Sequence, residues 1–425
     1  MNWNNLQFCE CFTKFVLLII QRPELEMAKK FRPLSSVLIK PSGPDCNLNC
    51  TYCFYLEKSA LFHQQKTHRM SPQVQEETIR QVMQQSGDSV SLAWQGGEPT
   101  LMGLDFYKRA IELEQKYGHG QMVGNGLQTN GLLLNRDWAK FLKKYDWLVG
   151  LSLDGPAFIH DHYRFDQAGK GTHQRVEDRA KMLLDEGVAA NAMCCVTSHS
   201  VKHPEELYNY YKDLGLTFMQ FIPIVETDKD DPTKAAEFSV SAADYGHFLN
   251  KLFDLWLADF KDGQPTTSVR HFESVFYSYV GLEAPECTML KECGPYVVIE
   301  HNGNVYSCDF FVEPKWKLGN VMHDRVINML NSKKQNIFGM AKAQLPRECK
   351  QCSWLTKCYG GCTKDRIKDP RDQRKPRFCT SYKLFFNHAD STLQDIALKW
   401  QQDQHDMQQS QQSGGIYNAF DDFMK

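Results

Sequence analysis

The chain has 425 residues, of which 42% are hydrophobic and 24% are charged, so it has the composition of a globular protein with room for two or three domains. Its formal net charge of -2 and its lack of a basic tract give no reason to expect nucleic acid or a membrane surface as a partner. Fifteen cysteines clustered in tight runs indicate metal binding in a reducing compartment. We therefore expect a cytoplasmic protein whose cysteines do not form structural disulfides.

The first 30 residues are expected to lie outside the folded part of the protein. The apolar run at residues 15–20 is too short to span a bilayer, and it lacks the basic leader and cleavage site of a signal peptide. Met27 precedes the first strand-like run closely enough to be the true start. We interpret this leader as an over-extended gene model or a disordered extension, with a functional segment as the alternative.

Strand-like and helical runs alternate from residue 35 to residue 222, which is the pattern of βα units around a parallel sheet. Helices are predicted from Ser71-Pro72 to about Val82 and at 104–117, 135–145, 172–186 and 204–214. Strands are predicted at 36–39, 90–94, 122–128, 147–153, 188–196 and 217–222. Six units are fewer than a closed eight-fold barrel needs. The sequence therefore predicts an α/β fold with a partial (β/α)6 barrel at 31–225, open at one side to a polypeptide substrate.

The remaining chain divides by composition into three parts. Residues 226–285 are predicted to be a linker and a helical connection, with an amphipathic helix at 242–260. Residues 286–385 are rich in cysteine, and residues 386–425 are predicted to form a C-terminal helix and a polar tail. The glutamine-rich stretch at 401–415 is expected to be disordered or frayed.

A loop directly after the first predicted strand carries three cysteines, Cys46, Cys50 and Cys53, in the spacing C-x3-C-x2-C. Three thiolates at this spacing suit an iron-sulfur cluster, and the lack of a fourth nearby cysteine leaves one iron open for another ligand. Zinc is the alternative, because His63 or His68 could complete a four-ligand site.

This loop resembles that of the radical S-adenosylmethionine (SAM) superfamily, in which the open iron chelates the methionine part of SAM. The resemblance implies that Tyr52 is the aromatic residue before the third cysteine, and that the turn Gly96-Gly97-Glu98-Pro99 after the second strand binds the methionine amino group. The exposed amides of this turn and its carboxylate are expected to face the ammonium. The resemblance further implies that Ser152 and Arg164 contact the ribose and the methionine carboxylate.

A second group of cysteines begins at Cys287, and the part from Cys293 onward resembles the seven-cysteine SPASM pattern. Eight thiolates divide economically into two sets of four, although zinc would satisfy the same count. The resemblance implies two further [4Fe-4S] clusters, making three in all, with the chain crossing between the two sites. One cluster would be held by Cys287, Cys293, Cys308 and Cys362, and the other by Cys349, Cys352, Cys358 and Cys379. Cys9, Cys11, Cys194 and Cys195 remain unassigned.

A more specific resemblance, over roughly residues 35–382, is to the anaerobic sulfatase-maturating enzymes. It rests on the segments 46–56, 94–99, 128–131, 152–156 and 308–311. It implies that a 5'-deoxyadenosyl radical takes a hydrogen atom from the Cβ of a cysteine or serine in a sulfatase, which becomes Cα-formylglycine. The substrate must then lose a proton and an electron, so a base is needed, and Asp309 matches the family's acidic residue.

The same resemblance implies substrate contacts for Gln95 and Tyr55, with an unfolded or nascent sulfatase as the partner. It also implies an electron donor such as flavodoxin or ferredoxin. Two alternatives stay open at this point. One is a maturase of the same architecture that crosslinks a small precursor peptide, and the other is a zinc-stabilised interaction scaffold without catalysis.

Overall fold

The computed structural model describes residues 31–62, 66–231, 233–367 and 376–421. The predicted leader at residues 1–30, with Cys9 and Cys11, lies outside the described residues. From Pro33 onward the chain forms one compact unit.

Ten strands form a single open sheet in the order β10-β9-β8-β1-β2-β3-β4-β5-β6-β7. All neighbours from β8 through β1 to β7 are parallel, whereas β8, β9 and β10 pair antiparallel. The strands are β1 (Ser36–Lys40), β2 (Ser89–Trp94), β3 (Met122–Thr129), β4 (Leu148–Ser152), β5 (Ala189–Val196), β6 (Phe218–Pro223), β7 (Ser268–Val269), β8 (Val297–Glu300), β9 (Asn304–Tyr306) and β10 (Lys317–Asn320).

The six predicted strands are confirmed as β1 to β6, and the sheet is open as expected of a partial barrel. The sequence did not predict that the cysteine-rich part extends the same sheet: β8 pairs with β1, so both parts share one continuous sheet. β7 also went unpredicted, because a strand of two residues carries no periodic signal. The proposed domain boundaries at 225 and 285 stay predictions.

Helices flank the sheet, and several begin with a side-chain cap, as the sequence predicts at Ser71. The side chains of Ser71, Asn135 and Ser241 accept hydrogen bonds from the first-turn amides of their helices. The helices are α1 (Pro72–Gln85), α2 (Leu104–Tyr117), α3 (Arg136–Lys144), α4 (Ala157–His160), α5 (His173–Asp185), α6 (Pro204–Leu214), α7 (Ala242–Ala258), α8 (Arg270–Tyr277), α9 (Val326–Leu330), α10 (Lys333–Ala343), α11 (Arg347–Lys350), α12 (Leu355–Cys358), α13 (Thr363–Ile367) and α14 (Cys379–Asp421).

Aromatic residues fill the core between the sheet and its helices. Trp94 of β2 and Trp147 before β4 are fully buried and stack with ring centroids 6.3 Å apart, with Tyr107 of α2 at 5.5 and 5.7 Å from them. A second aromatic group, Phe253, Phe272 and Phe385, joins α7 and α8 to α14. Each such side chain contributes on the order of 2 kcal/mol through burial. This packing holds the strands from behind and leaves their carboxyl ends for the site.

Helix α14 continues through the glutamine-rich stretch at 401–415, so the disorder expected there is not observed. Glutamine is a good helix former, and extending an existing helix costs much less than starting one. No helix within the described residues is both long and apolar enough to cross a membrane.

Candidate active site

The three-cysteine loop follows β1 at the carboxyl edge of the sheet and is anchored to the segment at 163–165. The amides of Asn49 and Thr51 donate to the carbonyls of Phe165 and Tyr163 at 2.8 and 3.1 Å. The Cys46 sulfur accepts hydrogen bonds from the Leu48 amide at 3.4 Å and the Asn130 side chain at 3.8 Å. Burial raises the pKa of the Cys46 thiol to about 12, so the free thiol keeps its proton until a metal displaces it. These soft donors fit an iron-sulfur cluster.

His68 does not serve as a fourth ligand to this loop. Its Nδ1 lies 2.7 Å from Asp45 Oδ1 and its Nε2 lies 3.0 Å from the Phe62 carbonyl, so both ring nitrogens are already hydrogen-bonded. His63, the other residue of the zinc alternative, lies outside the described residues. The geometry therefore excludes His68 as a fourth zinc ligand.

The glycine turn after β2 packs directly against the cysteine loop. The Gly97 and Glu98 amides donate to the carbonyls of Gly43 and Asp45, both at 2.8 Å. A Cβ added at Gly97 would lie 2.1 Å from the Asp45 carbonyl oxygen, and Gly96 has φ +138°. The two glycines are thus required for close backbone contact. Two of the amides that the sequence predicts to be exposed are used within the protein.

Glu98, whose carboxylate is expected to face the methionine ammonium, is buried. It accepts hydrogen bonds from the amide and hydroxyl of Thr100, the hydroxyl of Thr129 and the amide of Asn130, at 2.5–3.0 Å. Burial raises its pKa, although these hydrogen bonds act in the opposite direction. The carboxylate therefore ties the end of β2 to the end of β3. Its role toward SAM stays a prediction.

The structure brings Tyr52 and Arg164 together with a residue whose role the sequence reasoning missed, Asp154. Arg164 Nη1 donates to the Tyr52 hydroxyl at 2.7 Å, and the Tyr52 hydroxyl donates to Asp154. Among the described residues, the buried Arg164 Nε has no hydrogen-bond partner. Ser152 accepts a hydrogen bond from the Gln128 side chain at 3.0 Å. Asp154 lies within the segment 152–156, but only its contacts show what it does.

Asp309 is buried at the same edge of the sheet, between side chains from two strands. The amide of Gln95, which follows β2, donates to Asp309 Oδ2 at 2.8 Å. Lys40, the last residue of β1, forms an ion pair with Asp309 Oδ1, and both side chains are less than a tenth exposed. The structure thus places the predicted base beside the predicted substrate residue Gln95 and beside Lys40, which went unpredicted.

Tyr55 is buried next to Lys40, with its ring facing the Lys40 ammonium. The Lys40 ammonium is 3.5 Å from the centroid of the Tyr55 ring, and the Tyr55 hydroxyl donates to Glu300 of β8. The register of β1 and β8 sets Lys40 opposite Glu300, and both are fully buried. The sequence signal that could have revealed Lys40 and Glu300 is a charged residue at the end of an apolar strand. It occurs in Val37-Leu38-Ile39-Lys40 and in Val297-Val298-Ile299-Glu300.

The cysteines of the second group line two separate cavities, four to each. The proximal cavity, so named because Cys308 is next to Asp309, is lined by Cys287, Cys293, Cys308 and Cys362. The distal cavity is lined by Cys349, Cys352, Cys358 and Cys379. This grouping is the one that the family resemblance implies. Cys194 and Cys195 lie in β5 and line neither cavity.

Neither cavity has the geometry of a single-ion site. Among the described residues, no group of three or more His, Cys, Asp or Glu side chains is arranged to hold one metal ion. Four thiols around a shared cavity fit the larger iron-sulfur cluster. Burial raises the pKa of the Cys287 thiol to about 11 and that of Cys308 to about 12, so these thiols would also release protons on metal binding.

Comparison with known proteins agrees with this geometry. Residues 41–232 match the family model of the radical SAM superfamily, and residues 291–353 match that of the SPASM iron-sulfur cluster-binding domain. The chain is 38% identical to a serine-type anaerobic sulfatase-maturating enzyme of Bacteroides thetaiotaomicron, covering 83% of this chain and 89% of the relative. It is 37% identical to a cysteine-type anaerobic sulfatase-maturating enzyme of Clostridium perfringens, covering 86% of this chain and 99% of that relative.

Solved structures give the same result. Native anSMEcpe with bound AdoMet and Cp18Cys peptide superposes with a TM-score of 0.79 at 35% identity, over 86% of this chain and 99% of that one. Streptococcus suis SuiB bound to the precursor peptide SuiA has a TM-score of 0.59 at 17% identity, over 88% and 87%, and shares the fold alone. The chain therefore belongs to the anaerobic sulfatase-maturating enzymes, radical SAM enzymes that carry a SPASM domain.

Proposed function

We propose that this enzyme oxidises a cysteine or serine in the active-site motif of an unfolded or nascent sulfatase to Cα-formylglycine. The observation that carries the proposal is the buried carboxylate of Asp309, which is held by Gln95 and Lys40 and directly follows Cys308 of the proximal cavity. The similarity to both serine-type and cysteine-type relatives supports it.

The family's cofactors are SAM and three [4Fe-4S] clusters. We assign Cys46, Cys50 and Cys53 to the cluster that binds SAM, and the four-cysteine sets of the proximal and distal cavities to the auxiliary clusters. When bound, SAM and its cluster supply the 5'-deoxyadenosyl radical that removes a hydrogen atom from the substrate Cβ.

The residues around the SAM site divide into those that shape it and those that contact the cofactor. Gly96 and Gly97 place the turn against the cysteine loop, and the buried Glu98 fixes that turn to β3. Tyr52 and Asp154 orient Arg164, whose unpartnered Nε is available to the methionine carboxylate. Ser152 would contact the ribose.

Asp309 accepts the proton that the substrate thiol or hydroxyl loses, because it is the carboxylate next to the proximal cavity. Gln95 keeps one carboxylate oxygen in position and contacts the substrate peptide, while Lys40 holds the other oxygen. Tyr55, held by Glu300, forms the floor of the substrate site. The auxiliary clusters that the proximal and distal cysteine sets would hold could accept the electron that the substrate loses.

A small electron-transfer protein of the flavodoxin or ferredoxin type would reduce the SAM-binding cluster, and we propose a reducing, cytoplasmic setting for the reaction. The clustered cysteines and the absence of disulfides among the described residues support this setting.

The test is anaerobic incubation of the reconstituted enzyme with reductant, SAM and a peptide of the form Cys-x-Pro-x-Arg, followed by mass spectrometry. Formylglycine formation removes sulfur and two hydrogens and adds oxygen in the cysteine peptide, and removes only two hydrogens in the matched serine peptide. Both are tried because the two types of relative are almost equally similar. Deoxyadenosine formation without a carbonyl product from either peptide would contradict the proposal and favour the precursor-peptide alternative.

A further inference from the structure

Two cations are buried beside the auxiliary cavities without a carboxylate partner. Lys342 is 0% exposed and Arg366 is 4% exposed. Among the described residues, neither forms an ion pair, and their hydrogen bonds go to backbone carbonyls. A buried charge is costly unless an opposite charge compensates it. Within the part of the chain that the structure describes, the contents of the two cavities are therefore the candidates for the compensating charge.

Lys342 belongs to the proximal cavity. Its ammonium, on α10, donates to the carbonyls of Cys287 and Thr288 at 2.7 and 2.8 Å, and both of these residues line that cavity. These contacts place the ammonium at the wall of the proximal cavity.

Arg366 connects the walls of both cavities. Its guanidinium donates to the Lys342 carbonyl at 2.9 Å on one side and to the Gly360 carbonyl at 3.1 Å on the other. Gly360 lines the distal cavity, and its amide donates to the Cys358 sulfur at 3.4 Å.

The acidic residues nearby have other partners. Asp365 lies 3.9 Å from the Lys364 ammonium, which also pairs with Glu226 at 2.7 Å. Glu286, next to Cys287, contacts the Thr288 hydroxyl at 3.4 Å and the His271 ring at 4.0 Å. Of the carboxylates that the structure describes, none thus contacts Lys342 or Arg366.

We propose that Lys342 and Arg366 are the counter-charges of the auxiliary clusters, with Lys342 raising the reduction potential of the proximal cluster and Arg366 raising that of both. Reduction adds negative charge to a cluster, and a buried cation stabilises the reduced form because little solvent screens it. The proximal cluster lies next to Asp309, so a higher potential there favours uptake of the electron that the substrate loses. This inference rests on the ligand assignment proposed above.

The experiment measures both auxiliary potentials by anaerobic redox titration followed by electron paramagnetic resonance. Full-length protein carrying Cys46→Ala, Cys50→Ala and Cys53→Ala is used, so that only the auxiliary clusters contribute. The variants Lys342→Gln and Arg366→Gln remove the charge but keep an amide donor. Lys342→Arg and Arg366→Lys keep the charge. Lys357→Gln is the matched control, because Lys357 lies within the distal cysteine run, whereas its ammonium is directed to the Tyr279 ring, 3.1 Å from the ring centroid.

Lys342→Gln is expected to make one of the two reduction potentials more negative. Arg366→Gln is expected to make both potentials more negative. The charge-conserving variants and Lys357→Gln should keep the original potentials. Unchanged potentials in glutamine variants that hold full iron would overturn the inference. If the glutamine variants lose iron while the charge-conserving variants hold it, the counter-charge role is supported; equal loss in both would overturn it. Absence of auxiliary clusters from the background protein itself would instead refute the ligand assignment.

Discussion

Asp309 lies between Gln95 and Lys40, which come from neighbouring strands. A general base must be within reach of the proton it accepts, and its neighbours must hold it there. This arrangement buries two charged side chains, Asp309 and Lys40. Lys40 supplies the opposite charge that compensates the buried carboxylate of Asp309.

Replacing Asp309 with alanine or asparagine is expected to lower peptide oxidation by about 10²- to 10⁴-fold, the usual contribution of a general base. Cleavage of SAM to deoxyadenosine should stay measurable, because the residues assigned to that step are elsewhere. Both products are quantified by liquid chromatography and mass spectrometry from one reaction. Equal loss of the two activities would argue against the assigned role.

Glu114 of α2 gives a stability effect that depends on pH. It is buried and accepts hydrogen bonds from the Asn125 side chain at 3.0 and 3.2 Å. Burial raises its pKa from 4.5 to about 7. The folded state therefore binds more protons than the unfolded state between these values, and stability falls as pH rises through that window. Above pH 7 the ionised group costs about 3 kcal/mol, on the order of 1.4 kcal/mol per pH unit.

Glu114→Gln is accordingly expected to be close to neutral at pH 5 and to raise the melting temperature at pH 8. Glu112→Gln, an exposed residue on the same helix, is the matched control and should change neither value. The measurement is thermal unfolding of both variants and the parent at the two pH values. A Glu114→Gln effect that is the same at both would contradict the raised pKa.

At the scale of elements, the site depends on how closely the glycine turn approaches the cysteine loop. The turn after β2 and the loop after β1 share two backbone hydrogen bonds, and there is no room for a side chain between them. Neighbouring parallel strands deliver both segments to one edge, so their contact follows from the sheet order.

Gly97→Ala is expected to displace the cysteine loop, because its Cβ would lie 2.1 Å from a backbone oxygen that cannot move alone. The variant should lose the SAM-binding cluster and keep the auxiliary ones. Gly124→Ala in β3 is the matched control, since a Cβ added at that residue would meet no other atom within 4 Å. Iron content and the change in the paramagnetic signal on adding SAM report the result. Full retention of the SAM-responsive signal in Gly97→Ala would refute this expectation.

At the scale of the whole molecule, the cysteine-rich part completes the site rather than merely following it. β8 pairs with β1, which sets Glu300 opposite Lys40 and leads the chain to Asp309. Without β8 the edge of β1 would be unpaired, and Lys40 would lose its carboxylate partner.

A fragment ending at residue 285 is therefore expected to aggregate or to fail to cleave SAM, although it contains all of β1 to β7. A chain ending at residue 400 is the control, because it removes the polar end of α14 and leaves the aromatic contacts of Phe385 intact. Soluble yield and deoxyadenosine formation are measured for each. A soluble, active 31–285 fragment would show that the barrel does not need the added strands.

The sequence by itself determined the features that repeat over short distances. Alternating apolar runs predicted β1 to β6, the Ser71-Pro72 cap marked the start of α1, and the family resemblance predicted the ligand sets and Asp309. Only the tertiary structure decided the contacts between distant segments. These contacts include the pairing of β8 with β1 and the ion pair between Lys40 and Asp309. The tertiary structure also decided that Glu98, Lys342 and Arg366 are buried. Periodicity reports which face of an element is apolar, whereas the partner of a buried charge depends on which segments the completed fold brings together.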